Sequence, residues 1–75
     1  MAKYEVYVQT KMEQHFVVAV TPNGLRFRHS MLAWYPPTQF DTIEGARNVR
    51  DMAAKESCLP AHIRLVGSAP FEYVE

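Results

Sequence analysis

One stretch alone repeats with the period of a helix: residues 40–57, FDTIEGARNVRDMAAKES. Ile43, Ala46, Val49, Met52 and Ala53 recur at spacings of three and four, so they make one apolar stripe. Glu44, Arg47, Asn48, Asp51 and Lys55 take the other side. A stripe must be buried against another element, and every other patterned segment alternates with period two. A single helix therefore has to lie on a sheet. That requirement limits the chain more than any other feature.

Residues 3–10, KYEVYVQT, alternate Tyr4, Val6 and Val8 against Glu5, Tyr7 and Gln9, and they are rich in β-branched and aromatic side chains. Polar residues 11–14 make a loop. Residues 15–21, HFVVAVT, form a second strand, and Pro22-Asn23-Gly24 supplies turn chemistry for a hairpin. The third strand runs over residues 25–34 and ends at Pro36-Pro37, since proline cannot donate to a ladder. After the helix, Pro60 forces an exit and residues 61–67 make a fourth strand. Residues 68–75 are an optional fifth at an edge. The expected fold is an α+β two-layer sandwich of order β-β-β-α-β(-β). Its antiparallel sheet of four strands, or five with the tail, carries one helix on one face, and residues 1–75 form one small domain.

The helix has its own start signals. Asp41 is the expected N-cap, with Glu44 three residues on in the capping-box position, and Thr42 is the rival cap. Arg47–Asp51 and Asp51–Lys55 are spaced for i,i+4 pairs. Gly45 in the first turn weakens the helix by about 1 kcal/mol relative to alanine, or marks a close approach.

The hairpin admits two registers. With Val20 opposite Leu25, residues Phe16, Val18, Val20, Leu25 and Phe27 share the core face. With a bulge at Gly24, Thr21 meets Leu25, and Val17 and Ala19 join Leu25 and Phe27 in the core. A one-residue slip exchanges the two faces of a strand. The turn residues favour the bulge and the apolar count favours the first register.

In either register Arg26 and Arg28 lie on the face away from the helix, with Trp34 if the strand stays regular. Tyr7 joins them from the first strand and Arg64 from the fourth. Formal charge is zero overall, yet that face gathers Lys3, Arg26, Arg28 and Arg64 against Glu5 alone. Arg, Tyr and Trp anchor protein interfaces, and a Trp-Tyr-Pro-Pro corner suits a rigid contact loop. The expected partner-binding residues are Tyr7, Arg26, Arg28, Trp34, Tyr35 and Arg64. The simpler reading weighs as much: Trp34 and Tyr35 close the core, and the arginines are a solvated face.

Catalytic signals are absent from the sequence. It contains no Gly-rich phosphate loop, no nucleophile elbow and no evident carboxylate pair. Ser30 beside His29 points to the opposite face of a strand, so the two make no dyad. Cys58-x3-His62 falls short of the four ligands zinc requires. Cys58 follows a helix, where the dipole raises a thiol pKa rather than lowering it. No metal or cofactor is expected, and the chain is not expected to be an enzyme.

The functional expectation is a non-catalytic binding protein for a protein or nucleoprotein partner. An inhibitor or accessory factor of the phage or mobile-element kind is its concrete form. Single-stranded nucleic acid, RNA above all, on the basic face is the alternative. A chain of 75 residues buries only about 60% of its unfolded surface, so oligomerisation is a common supplement, and a homodimer is slightly favoured over a monomer. One cysteine cannot make an internal disulfide, and no apolar run approaches a signal or membrane-spanning segment. A cytoplasmic location without membrane contact is expected.

Overall fold

The computed structural model describes residues 2–29, 36–68 and 72–75, with Arg28 and His29 described for their backbone only. Period-two alternation becomes strands β1 (Tyr4–Gln9), β2 (Gln14–Thr21), β3 (Gly24–His29) and β4 (Ala61–Leu65). The helical stripe becomes α1 (Ile43–Ser57) between β3 and β4. The sheet order is β3-β2-β1-β4 and every neighbouring pair is antiparallel. The helix packs across β1 and β4 and reaches β3, giving the two-layer α+β sandwich. Of the third strand expected over residues 25–34, the part beyond His29 lies outside the described residues.

Neither hairpin register holds along its whole length. Beside the turn, Val20 faces Leu25 and Thr21 faces Gly24. A bulge then falls between Val17 and Ala19, and past it Val17 faces Phe27 and Phe16 faces Arg28. The apolar run Phe16-Val17-Val18 thus meets both faces: Val17 enters the core and Phe16 goes to the other side. The extra residue lies inside β2, where a bulge bends and twists the strand. Gly24 has a positive φ of 133° and lies against the end of α1. An added Cβ there would come within 2.9 Å of Glu56 Oε1, the oxygen that accepts the Leu25 N–H at 3.2 Å. Glycine at this position thus answers both a backbone and a space requirement.

The bend opens a gap between β1 and β2 that the β3–α1 connection fills. Thr38 N–H donates to the Val17 carbonyl at 2.9 Å, and Tyr4 and Phe40 exchange a reciprocal pair of backbone bonds at 2.9 and 2.8 Å.

Thr42, not Asp41, caps the helix. Its Oγ1 accepts the Gly45 N–H at 3.1 Å, while the Asp41 carboxylate pairs with Lys3. Gly45 is the third helical residue, and a Cβ on it would lie 3.3 Å from the capping hydroxyl. The expected Arg47–Asp51 and Asp51–Lys55 pairs give way to other partners. Arg50 takes Asp51, and Arg47 turns to Glu75. The helix ends at Cys58, whose left-handed φ of 58° lets its N–H reach the Ala54 carbonyl.

The core consists of Val6, Val8, Val17, Ala46, Val49, Ala53 and Ile63, with Tyr4, Leu25, Phe27, Phe40, Ile43, Leu59 and Ala61 packed around it. Met52, from the apolar stripe, and Leu65, two residues beyond Ile63, are both partly exposed at its margin. Among the described tail residues 72–75 no strand forms. They touch β4 through Val74 N–H to the Ile63 carbonyl at 2.7 Å and Glu75 N–H to the same oxygen at 3.3 Å.

Candidate functional site

The face away from the helix is built by cross-strand register. Tyr7 stands opposite Phe16 on β2 and His62 on β4, so three rings line up across three strands. Ring centroids are 5.4 Å apart for Tyr7–Phe16 and 5.6 Å for Tyr7–His62. Tyr73 from the tail extends the row, 4.1 Å from His62. One step along the strands, Glu5 faces Arg64, and Arg64 Nε lies 3.5 Å from Glu5 Oε1. The Arg64 guanidinium also stands 5.7 Å over the Phe16 ring, within cation–π range.

Around Tyr7 and Phe16 this face is covered, where the sequence reading expects Tyr7 and Arg64 to meet a partner. Tyr7 is 1% exposed and Phe16 7%, and the Glu5 and Arg64 side chains are about as deep. The cations expected to stand free there are partly neutralised: Arg64 by Glu5, and Lys3 by Asp41. Burial raises the Tyr7 phenol above its ordinary pKa; the Arg64 charge works against that rise and Tyr73 adds slightly to it.

The six expected site residues therefore separate. Tyr7 is on the predicted face but buried, and Arg64 beside it is half-buried and paired. Arg26, opposite Ala19, is exposed. Arg28 has its backbone opposite Phe16, and its side chain lies outside the described residues, as do Trp34 and Tyr35 entirely. The backbone of His15 lies opposite that of His29 in the β2–β3 register, and His15 Nε2 lies 2.9 Å from Glu13 Oε1. Among the described residues no three His, Cys, Asp or Glu side chains converge to hold a metal ion. None of the described helices is long and apolar enough to cross a membrane.

A different place collects exposed apolar side chains. Where β4 runs out and the tail returns beside it, Leu65, Val66, Tyr73 and Val74 are between 36% and 56% exposed. Leu65, Ser68, Glu72, Tyr73 and Val74 line a depression of about 80 Å³. Ligand pockets for small molecules span roughly 300–1,000 Å³, so this hollow takes a side chain rather than a substrate. Its floor is held by the turn after β4, where Ser68 N–H and Oγ both donate to the Leu65 carbonyl at 3.1 and 2.7 Å.

Beside the hollow, the Glu75 carboxylate sits between two helix cations. Arg47 Nε donates to Oε1 at 2.8 Å and Arg47 Nη2 to Oε2, while Arg50 Nη1 reaches Oε1 at 3.3 Å. The hydrogen bonds and charge of Arg47, helped by Arg50, hold Glu75 below the ordinary glutamate pKa. The same contact raises Arg47. The sequence carries a weak signal for this site: residues 68–75 read as an optional edge strand beside the fourth. Compared with protein-family models, with curated proteins and with solved structures, the chain has no significant match.

Proposed function

We propose that the protein is a non-catalytic binding module whose partner is another protein, gripped at the corner where β4 meets the tail. The observation that carries this reading is the clustering of Leu65, Val66, Tyr73 and Val74 at the surface of so small a domain. Contiguous exposed apolar groups with a polar rim are the common mark of a protein contact. Ser68, Glu72 and the Arg47–Glu75 pair supply that rim. An inhibitor or accessory role, acting by occupying a partner's surface, fits a domain of this size. The exposed lone thiol of Cys58 favours a reducing, cytoplasmic setting. Single-stranded nucleic acid gains no support, because Tyr7 cannot offer its ring face to a base and Arg64 is already paired.

Affinity capture from cells that make the protein tests the reading with Leu65→Glu and Tyr73→Glu beside the wild type. Both positions are exposed, so the fold should survive, as read by circular dichroism. Loss of the captured partner from both variants is expected. Retention of every partner at wild-type strength by two folded variants would remove the corner from consideration.

A further inference from the structure

Two backbone bonds decide which groups of β4 face outward. Gln9 N–H donates to the Pro60 carbonyl and Val66 N–H to the Lys3 carbonyl. The hydrogen-bonded pairs between β1 and β4 are therefore those at Lys3, Glu5, Tyr7 and Gln9, because such pairs alternate along an antiparallel ladder. Ala61, Ile63 and Leu65 occupy the intervening positions and send their N–H and C=O to the outer edge of the sheet, where Ser68 takes the Leu65 carbonyl. The tail uses that edge sparingly: Val74 and Glu75 donate to the Ile63 carbonyl, and no hydrogen bond meets the Ile63 N–H among the described residues. An edge strand with open groups is a template for another strand.

We infer that the β4 edge is a strand-addition site for an extended segment of a partner protein carrying an aromatic, an aliphatic and an acidic residue in succession, and that Tyr73-Val74-Glu75 is its resident stand-in. This deepens the reading above and rests on it. Each element of the tail reports one selective feature. The His62 ring receives an aromatic, as it receives Tyr73 at 4.1 Å. The apolar surface at Leu65 receives an aliphatic, as Val74 stands with Leu65 in the wall of the hollow. Arg47 and Arg50 receive a carboxylate, as they receive Glu75. Main-chain bonds supply affinity in strand addition, and alternate side-chain sites supply specificity. The tail is a loose occupant: Tyr73 and Val74 are half exposed, and exposed ion pairs hold weakly. A segment that also bonded the Ile63 N–H would displace it.

The probe is a fluorescein-labelled peptide copying residues 70–75, Pro-Phe-Glu-Tyr-Val-Glu, read by fluorescence anisotropy against the full chain. Glu75→Lys turns the tail's own anchor against Arg47 and Arg50. Val74→Pro removes the shorter of the two bonds to the Ile63 carbonyl by a different route. Both variants, folded by circular dichroism, are expected to bind the peptide about ten-fold or more tighter than the wild type, because the competing tail is gone. A peptide ending in Lys instead of Glu is expected to lose that binding, as is Arg47→Glu combined with Val74→Pro. No saturable binding to either folded variant at about 1 mM peptide, or equal binding by the wild type and both variants, would overturn the inference. A wild-type mass of twice 8.6 kDa that collapses in Val74→Pro would overturn it too, by making the occupant a second copy. If the peptide fails while Leu65→Glu and Tyr73→Glu still lose their partner, the corner binds by another mode and only the strand-addition inference falls.

Discussion

Around β1 the two faces of the sheet are both largely buried, by opposite chemistry. Toward the helix stand Val6, Val8, Val17 and Ile63, none more than 2% exposed and none carrying a polar side-chain atom. On the far side stand Glu5, Tyr7, Phe16 and Arg64, hardly more accessible, with a charge pair and a row of rings among them. The first face gains from leaving water, and its contacts are non-directional. The second holds groups whose burial is tolerable only while each keeps its partner. Burial alone therefore does not identify the core of a thin sandwich. The chemistry of what is buried decides how each face responds to change.

The largest effect is expected on the aliphatic face. Ile63→Ala removes a fully buried side chain between β1 and the helix, and such truncations cost about 2–5 kcal/mol. In a domain this small that is a large fraction of the total stability. Urea unfolding measures it, and a loss under about 1 kcal/mol would mean that the two faces are not distinct in the way described.

The far face should betray itself by non-additivity. Glu5→Leu leaves Arg64 as a deeply placed charge without its carboxylate. Glu5→Leu with Arg64→Met removes both. Coupling of about 1 kcal/mol or more is expected between the two sites in a double-mutant cycle by chemical denaturation. Strict additivity would reduce the pair to a surface contact.

Alkali separates the faces by another route. Tyr7 has its pKa raised by burial, so the fold favours the neutral phenol. Its contribution is fully present below the unfolded tyrosine value of about 10 and is lost as pH rises through the folded one. Tyr7→Phe should flatten this alkaline limb of the stability profile. An unchanged limb would point to another group.

The smallest effect belongs to the tail that borders the far face. Glu75 is held below the ordinary glutamate pKa by Arg47, so its docking is complete above that ordinary value and is lost as pH falls through Glu75's own. The Val74 amide, bonded to Ile63, should shift and exchange faster on acidification, with little change in global stability. Glu75→Gln should remove this pH dependence as read by amide proton resonances. Persistence of the shift in the variant would break the link between the carboxylate and the strap.

Much of this architecture could be read in the residues. Alternation at Tyr4, Val6 and Val8 marked the inward face of β1, and the stripe Ala46, Val49, Ala53 marked the buried side of α1, because each period is a property of the local backbone. Tyr7 and Arg64 were correctly placed on the far face for the same reason. Their availability was not legible, since it depends on Phe16, His62 and Glu5 from other strands. The helix cap was misplaced by one residue because Asp41 has a competing partner in Lys3, 38 positions away. The candidate site at Leu65, Val66, Tyr73 and Val74 was missed because Leu65 shares the core parity of Ile63, and only the end of the sheet exposes it.

What the chain determined by itself is therefore what depends on near neighbours. The identity and order of the strands, the single helix and the inward sides of β1 and α1 follow from patterns repeated within a few residues. Tertiary structure alone decided the bulge in β2, the closing of the second face and the return of Tyr73-Val74-Glu75 along β4. The run Phe16-Val17-Val18 is apolar in both phases, so its own pattern is satisfied by either register. Which phase prevails changes along the strand: Val17 stands opposite Phe27 and Val20 opposite Leu25, and both pairings hold only because the strand takes an extra residue between them.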